Sequence, residues 1–219
     1  MTETHASLTR KQLKTPRAAA IAGILFALLF GSGVILIRIS IPSDPATEGA
    51  WLESNSKTVS LALNLIPYAG IAFLWFIGVI RDRIQDQEDR LFATVFLGSG
   101  LLFLALTFAG AALAGGLLNS YAVASNALIE SGVFTYSRAV MYQTINVYAI
   151  RMAGVFMISL GTIWLRTGSM KRGWALLTYA LALVLLVSIS YSLWVTLIFP
   201  GWVLVVSSYF LIQNLRKQG

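Results

Sequence analysis

Thr144, Tyr148, Arg151, Ser159 and Thr162 follow one another at steps of 4, 3, 8 and 3 in a largely apolar run, with Val155 in the intervening position. That spacing puts all five on one face of a helix. Arginine stays protonated in proteins, so its burial requires acceptors, and a charge at membrane depth marks a candidate site. The chemistry such a face offers is the binding of an anion, carboxylate or phosphate, rather than a reaction.

Catalytic alternatives fail on residue type. The only histidine is His5, and there is no cysteine, so imidazole and thiolate chemistry, disulfides and His- or Cys-based metal sites are excluded. Gly-Ser-Gly at 31–33 and at 98–100 offers a serine, but no histidine or lysine base lies within an apolar segment to activate it. No aspartate occurs inside a segment, which removes a paired-aspartate mechanism, and phosphate-cradling P-loops are absent. Residues 81–90, RDRIQDQEDR, hold four acids interleaved with three arginines. Asp86 with Arg90 and Arg83 with Asp86 have the spacing of helical ion pairs rather than of a metal site. The expectation is a chain without catalytic residues, metal or cofactor.

The elements that must position these residues are membrane helices. The chain has 57% hydrophobic and 11% charged residues with a mean hydropathy of +0.76, against roughly a quarter charged in soluble domains. A spanning helix needs about 20 apolar residues, and the sequence predicts six, at 18–40, 58–80, 91–117, 142–165, 174–197 and 200–215. The last break is expected at Phe199-Pro200-Gly201, with Ser190-Tyr191-Ser192 as the rival. Residues 1–17 and 216–219 are then polar tails. Residues 41–57, where Pro42 and Pro45 forbid a regular helix, and 118–141, an interfacial or re-entrant stretch carrying Glu130, join helices on the opposite side.

Of 16 Lys and Arg residues, twelve fall on one side: Arg10, Lys11, Lys14, Arg17, Arg81, Arg83, Arg90, Arg166, Lys171, Arg172, Arg216 and Lys217. The positive-inside rule makes that side cytoplasmic. The expectation is an all-α, polytopic six-helix bundle of the plasma (inner) membrane, with both termini cytoplasmic. The net charge of +7 is accounted for by topology, so nucleic acid is not an expected partner. Trp51, Trp194 and Trp202 suit an outer aromatic belt, and Trp75, Trp164 and Trp174 an inner one.

Two small-residue faces recur. Ala19, Gly23, Ala27 and Gly31 lie at steps of four on the first helix, and Ala105, Ala109, Ala112 and Gly116 line one face of the third. Such faces let membrane helices approach closely, here within the bundle or against another subunit or a second copy. FGSGVILI (30–37) and LGSGLLFL (97–104) also suggest a duplicated hairpin.

The run IRDRIQDQEDRLFATVFLGSGLLF, residues 80–103, resembles one found in uncharacterised bacterial six-helix integral membrane proteins. The resemblance covers 24 residues and implies a membrane bundle but no activity.

Arg151 therefore organises the candidate site. Asn64 and Tyr68 on the second helix are expected at its depth, and Pro67 between them frees a carbonyl. Glu130 is the expected counter-ion. Three accounts stand: Arg151 snorkels or pairs with Glu130, it binds an anionic group together with Arg38, or it meets an acid of another subunit. The corresponding functions are an accessory or assembly subunit of a membrane complex, or a small transporter or lipid- or anion-binding protein. A lipid-acting enzyme built on Glu130 is the third.

Overall fold

The computed structural model describes residues 16–41, 50–84, 90–130, 132–168, 170–187 and 193–216. Among them every regular element is helical: α1 (Pro16–Ser40), α2 (Ala50–Ile84), α3 (Arg90–Glu130), α4 (Val133–Tyr142), α5 (Ile150–Thr167), α6 (Arg172–Val187) and α7 (Ile198–Arg216). A π-helical segment, Gln143–Ala149, fuses α4 to α5, and a 3-10 turn, Leu193–Leu197, leads into α7. Five spans are long and apolar enough to cross a membrane, and α6 is a shorter apolar helix of 16 residues. The architecture is compatible with an α-helical membrane bundle.

The bundle is sealed by aromatic side chains. Phe26, Phe73, Phe103, Phe156 and Phe199 come from five different helices and meet with ring centroids 4.7–6.4 Å apart. That is the range of favourable edge and offset ring contacts. Around them α1 packs against α2 and α7, and α5 against α3 and α6. The first small-residue face works as a packing seam, because Ala19, Gly23 and Ala27 are buried. A Cβ on Gly23 would lie 2.0 Å from Ser207 Oγ on α7 and 2.8 Å from Phe76 on α2, so only glycine lets the three helices approach there.

The second face does the opposite. Ala105, Ala109, Ala112 and Gly116 are all exposed on α3, and Gly31 on α1 is half-buried with open space beside it. Ala109, Ala112 and Gly116 line a shallow groove with Val133 and Ser137 of α4, so among the described residues a sequence face fit for packing is left largely open. The Gly-Ser-Gly pair is also unequal: Ser32 is exposed, whereas Ser99 is buried and donates to Val95 O at 2.6 Å.

Helix limits differ from the sequence expectation where proline was given too long a reach. Pro42 and Pro45 constrain only their own neighbourhood, so Ala50–Lys57, expected as an irregular connection, is the start of α2. The stretch 118–141 is helical as well: α3 continues to Glu130 with a kink at Ala124 (φ −151°, ψ 68°). Gly132, at φ 72°, then turns the chain into α4, a left-handed conformation suited to glycine. Phe199-Pro200-Gly201, expected as the last break, lies inside α7, and the rival break at Ser190-Tyr191-Ser192 lies outside the described residues. Pro200 sits in the first turn of α7, where a missing N–H costs no hydrogen bond. The tryptophan belts are only partly seen, because Trp164 and Trp202 are core residues. Trp202 Nε1 donates to Thr178 Oγ1 at 3.0 Å.

The short α6 shapes everything above it. Sixteen residues span ~24 Å, less than the ~30 Å of a hydrocarbon core. Phe199, in the first turn of α7, packs on Phe26 of α1, which has fourteen residues, ~21 Å, still to run to Ser40. The first turn of α7 thus lies well below the Ser40 end, and α1, α2, α3 and α4 surround a space over it.

Candidate functional site

That space is a cavity of about 670 Å³, within the size range of small-molecule sites. Phe30 and Phe103 belong both to its lining and to the aromatic core, and Trp194 and Thr196 contribute from the turn before α7. Val34, Val59, Leu63, Ile66, Ala111, Ile145 and Ile150 give it apolar walls. Most of its polar lining comes from Arg38 near the end of α1 and from Thr135, Arg138, Tyr142, Gln143 and Asn146 on α4 and the π-helical segment, with Thr107 on α3 and Thr196 in the 3-10 turn beside them.

Local structure explains that concentration. Arg138, Tyr142 and Asn146 lie four residues apart, hence on one side of a helix. The π-helical turn begins just after Tyr142, and such turns re-aim side chains and are frequent at functional positions. Close approach to α3 is possible because Gly110 has no side chain: a Cβ there would lie 2.3 Å from Ile145 Cγ1.

Arg38 Nη2 donates to Asn146 Oδ1, and Asn146 Nδ2 donates back to Tyr142 O at 3.1 Å. Asn146 is thereby oriented with its oxygen towards the guanidinium. Arg38 Nε is buried and has no protein acceptor among the described residues. Arg138, 9% exposed, lines the same cavity. The guanidiniums of Arg38 and Arg138 thus border one space with largely apolar walls, and guanidinium forks suit carboxylate and phosphate oxygens.

The residues expected around Arg151 are not brought together. Asn64 is exposed on α2, and so is Tyr68 at 64%. Both face away from the interior, the side of α2 set by Ala62, Ile66, Ala69 and Phe73. The five-residue polar face is also divided. Tyr148 is 59% exposed whereas Ser159 is 2% exposed, because the π-helical turn changes the angular register between them. Thr144, Ser159 and Thr162 each bond the carbonyl four residues back, and Thr162 Oγ1 also meets Tyr179 OH at 2.8 Å. These hydroxyls are satisfied within the bundle. Glu130 ends α3, and its side chain lies outside the described residues, as do Asp86 and its loop.

Arg151 itself is half-buried and lies outside the cavity lining. Its height has a structural explanation. A Cβ on Gly154 would touch Leu186 and Ala182 O, and one on Gly161 would touch Thr178, which fixes the antiparallel register of α5 and α6. Arg151 is then level with Val187, the last residue of α6. The final carbonyls of a helix lack intrahelical partners and carry the negative end of its dipole, a suitable environment for a cation.

Of the sequence candidates with described side chains, Arg38 alone lines the cavity; Arg138, Tyr142 and Asn146 were missed. Their signal was the four-residue repeat, masked because Arg138 fell in a stretch read as a connection and Asn146 in a helix with a rival polar face. Compared with known proteins, the chain matches no family model, no curated protein and no solved structure.

Proposed function

We propose that this chain is a non-catalytic integral membrane protein that binds an amphipathic anion in the cavity between α1, α2, α3 and α4. The observation that carries this reading is that Arg38 and Arg138 line one cavity with largely apolar walls, Arg38 Nε being buried with no acceptor among the described residues. An anionic group would meet the guanidiniums, and a hydrocarbon chain would lie along Val34, Ile66 and Ile150 towards Phe30 and Phe103. Buried apolar contact and charge-assisted hydrogen bonds would then act on one ligand. The site lies around Arg38 and Arg138 rather than around Arg151.

The orientation in this reading is six crossings of the plasma (inner) membrane with both termini cytoplasmic. Exposed Arg81, Arg166, Lys171, Arg172 and Arg216 at helix ends away from Ser40 support it. The cavity then opens in the outer half. Titration of the purified chain with an anionic single-chain amphiphile in a neutral detergent tests the function. Saturable binding lost in Arg38→Leu is expected, and a ligand insensitive to both arginines would refute it.

A second reading, an accessory or assembly subunit, is favoured by one observation: the small-residue face of α3 is exposed. Another membrane helix, from a partner subunit or a second copy, could approach closely there.

A further inference from the structure

We infer that the cavity measures its ligand: it takes a single hydrocarbon chain of about eight carbons, and Phe30 and Phe103 are the residues that set that length. This inference rests on the amphipathic-anion reading and adds the length of the chain.

One end of the measure is Arg38. Its Nη2 donates to Asn146 Oδ1, while Nε on another edge of the guanidinium is buried with no acceptor among the described residues. Asn146 thus holds Arg38 in place and leaves a donor for a ligand oxygen. The other end is a floor of rings. The cavity lining stops at one level on four helices, at Phe30 on α1, Ile66 on α2, Phe103 on α3 and Ile150 on α5. Phe30 and Phe103 meet with ring centroids 5.6 Å apart. Each also rests on a further ring, Phe30 on Phe26 at 5.3 Å and Phe103 on Phe199 at 4.8 Å. A core packed in this way leaves no room for a chain to pass through it.

The distance between the two ends follows from helix register. A Cβ on Gly110 would lie 2.3 Å from Ile145 Cγ1, which puts the neighbouring Asn146 level with Gly110 on α3. Phe103 comes seven residues earlier on α3, ~10 Å deeper along the axis. A zigzag of carbon–carbon single bonds advances ~1.3 Å per carbon, so about eight carbons carry a chain from the Arg38–Asn146 bond to the rings. Val34 lines the cavity on that path, one helical turn from Arg38 and one from Phe30. Each methylene along it is removed from water or lipid into apolar contact, whereas a carbon beyond the rings finds no place and must fold back.

Calorimetric titration of the full-length protein in a neutral detergent tests this with butanoate, hexanoate, octanoate, decanoate, dodecanoate and hexadecanoate, affinities being referred to the free amphiphile. Affinity is expected to rise by up to about fourfold per methylene as far as octanoate and then to stop rising. Phe103→Leu, which lowers the floor, should move that break to a longer chain. Val34→Phe fills part of an existing cavity and so protects against a folding artefact; it should move the break to a shorter chain. Affinity that climbs steadily through hexadecanoate and is lost in Arg38→Leu would overturn the length assignment and leave the amphipathic-anion reading standing. A break that stays in place in every variant that folds would overturn the assignment to this floor. Absence of saturable binding at any length, or binding indifferent to Arg38→Leu, would overturn both the reading and the inference.

Discussion

Arg38 on α1 donates to Asn146 on the π-helical segment across 108 positions of sequence. The bond ties the first helix to the wall that carries Arg138, and it satisfies one edge of a half-buried cation with a neutral acceptor. A neutral partner orients the guanidinium without cancelling its charge. That distinguishes a cation held ready for an anion from one committed to a structural ion pair, and it can be tested by changing the partner's charge.

Asn146→Asp should therefore separate stability from binding. The new carboxylate would pair with Arg38 and compete directly with an incoming anion. The fold should be retained, with a detergent melting temperature no lower than that of the parent, while affinity for an anionic amphiphile falls at least about tenfold. Asn146→Leu should instead lower stability by about 1–3 kcal/mol, the usual cost of orphaning a buried polar group. If Asn146→Asp binds the amphiphile as well as the parent, Arg38 does not take part in binding.

Arg151 should behave differently from Arg38 in the same assays. Its height matches the last described residue of α6, where a cation near the helix end would contribute about 0.3–2 kcal/mol. Arg151→Leu should lower thermal stability by that order and leave amphiphile affinity unchanged, with Arg151→Lys restoring most of the loss. A large fall in affinity in Arg151→Leu, with unchanged stability, would return the site to Arg151.

How far the sequence reached is clearest from these two arginines. The hydropathy pattern located the spans because a bilayer demands long apolar runs and local sequence shows them directly. The α6–α7 break was harder, since Pro200 suits a first turn as well as a gap. Arg38 and Arg151 were both visible as charges at helical depth, but not which one faces a cavity. That depends on the π-helical turn, which rotates Tyr148 outward, and on the length of α6, which leaves open space beside α1 and α3. Asn64 and Tyr68 have the right depth and the wrong azimuth, a quantity set by which side of α2 meets α1. The α3 small-residue face has the spacing of a packing seam, yet spacing cannot say whether a neighbour is present.

Gly110→Leu should close the cavity from the α3 side. A Cβ at that position already lies 2.3 Å from Ile145 Cγ1, so a larger side chain must displace the π-helical segment inward. Overpacking of this kind costs about 1–3 kcal/mol. Binding should be weakened although no polar group is removed. Melting curves and amphiphile titration on the same preparation check both effects, and unaltered binding would mean that the cavity is not the ligand's place.

If the exposed face of α3 meets another helix, a bulky residue there should act between chains and not within one. Ala109→Leu and Gly116→Leu change exposed positions, so the melting temperature of the detergent-solubilised monomer should stay within a few degrees of the parent. Energy transfer between differently labelled copies, or co-purification of a partner subunit, should be lost. Association unaffected by both substitutions would remove the accessory-subunit reading from this face.

Orientation can be read directly, because the chain lacks cysteine and any introduced thiol is unique. Lys57 lies near the start of α2 and Arg81 near its other end, and both are exposed. In intact cells a membrane-impermeant maleimide should label Lys57→Cys, on the side where the cavity opens, and should label Arg81→Cys only after permeabilisation. The reverse pattern would place the cavity on the cytoplasmic side, and the anionic ligand would then have to come from the inner leaflet or the cytoplasm.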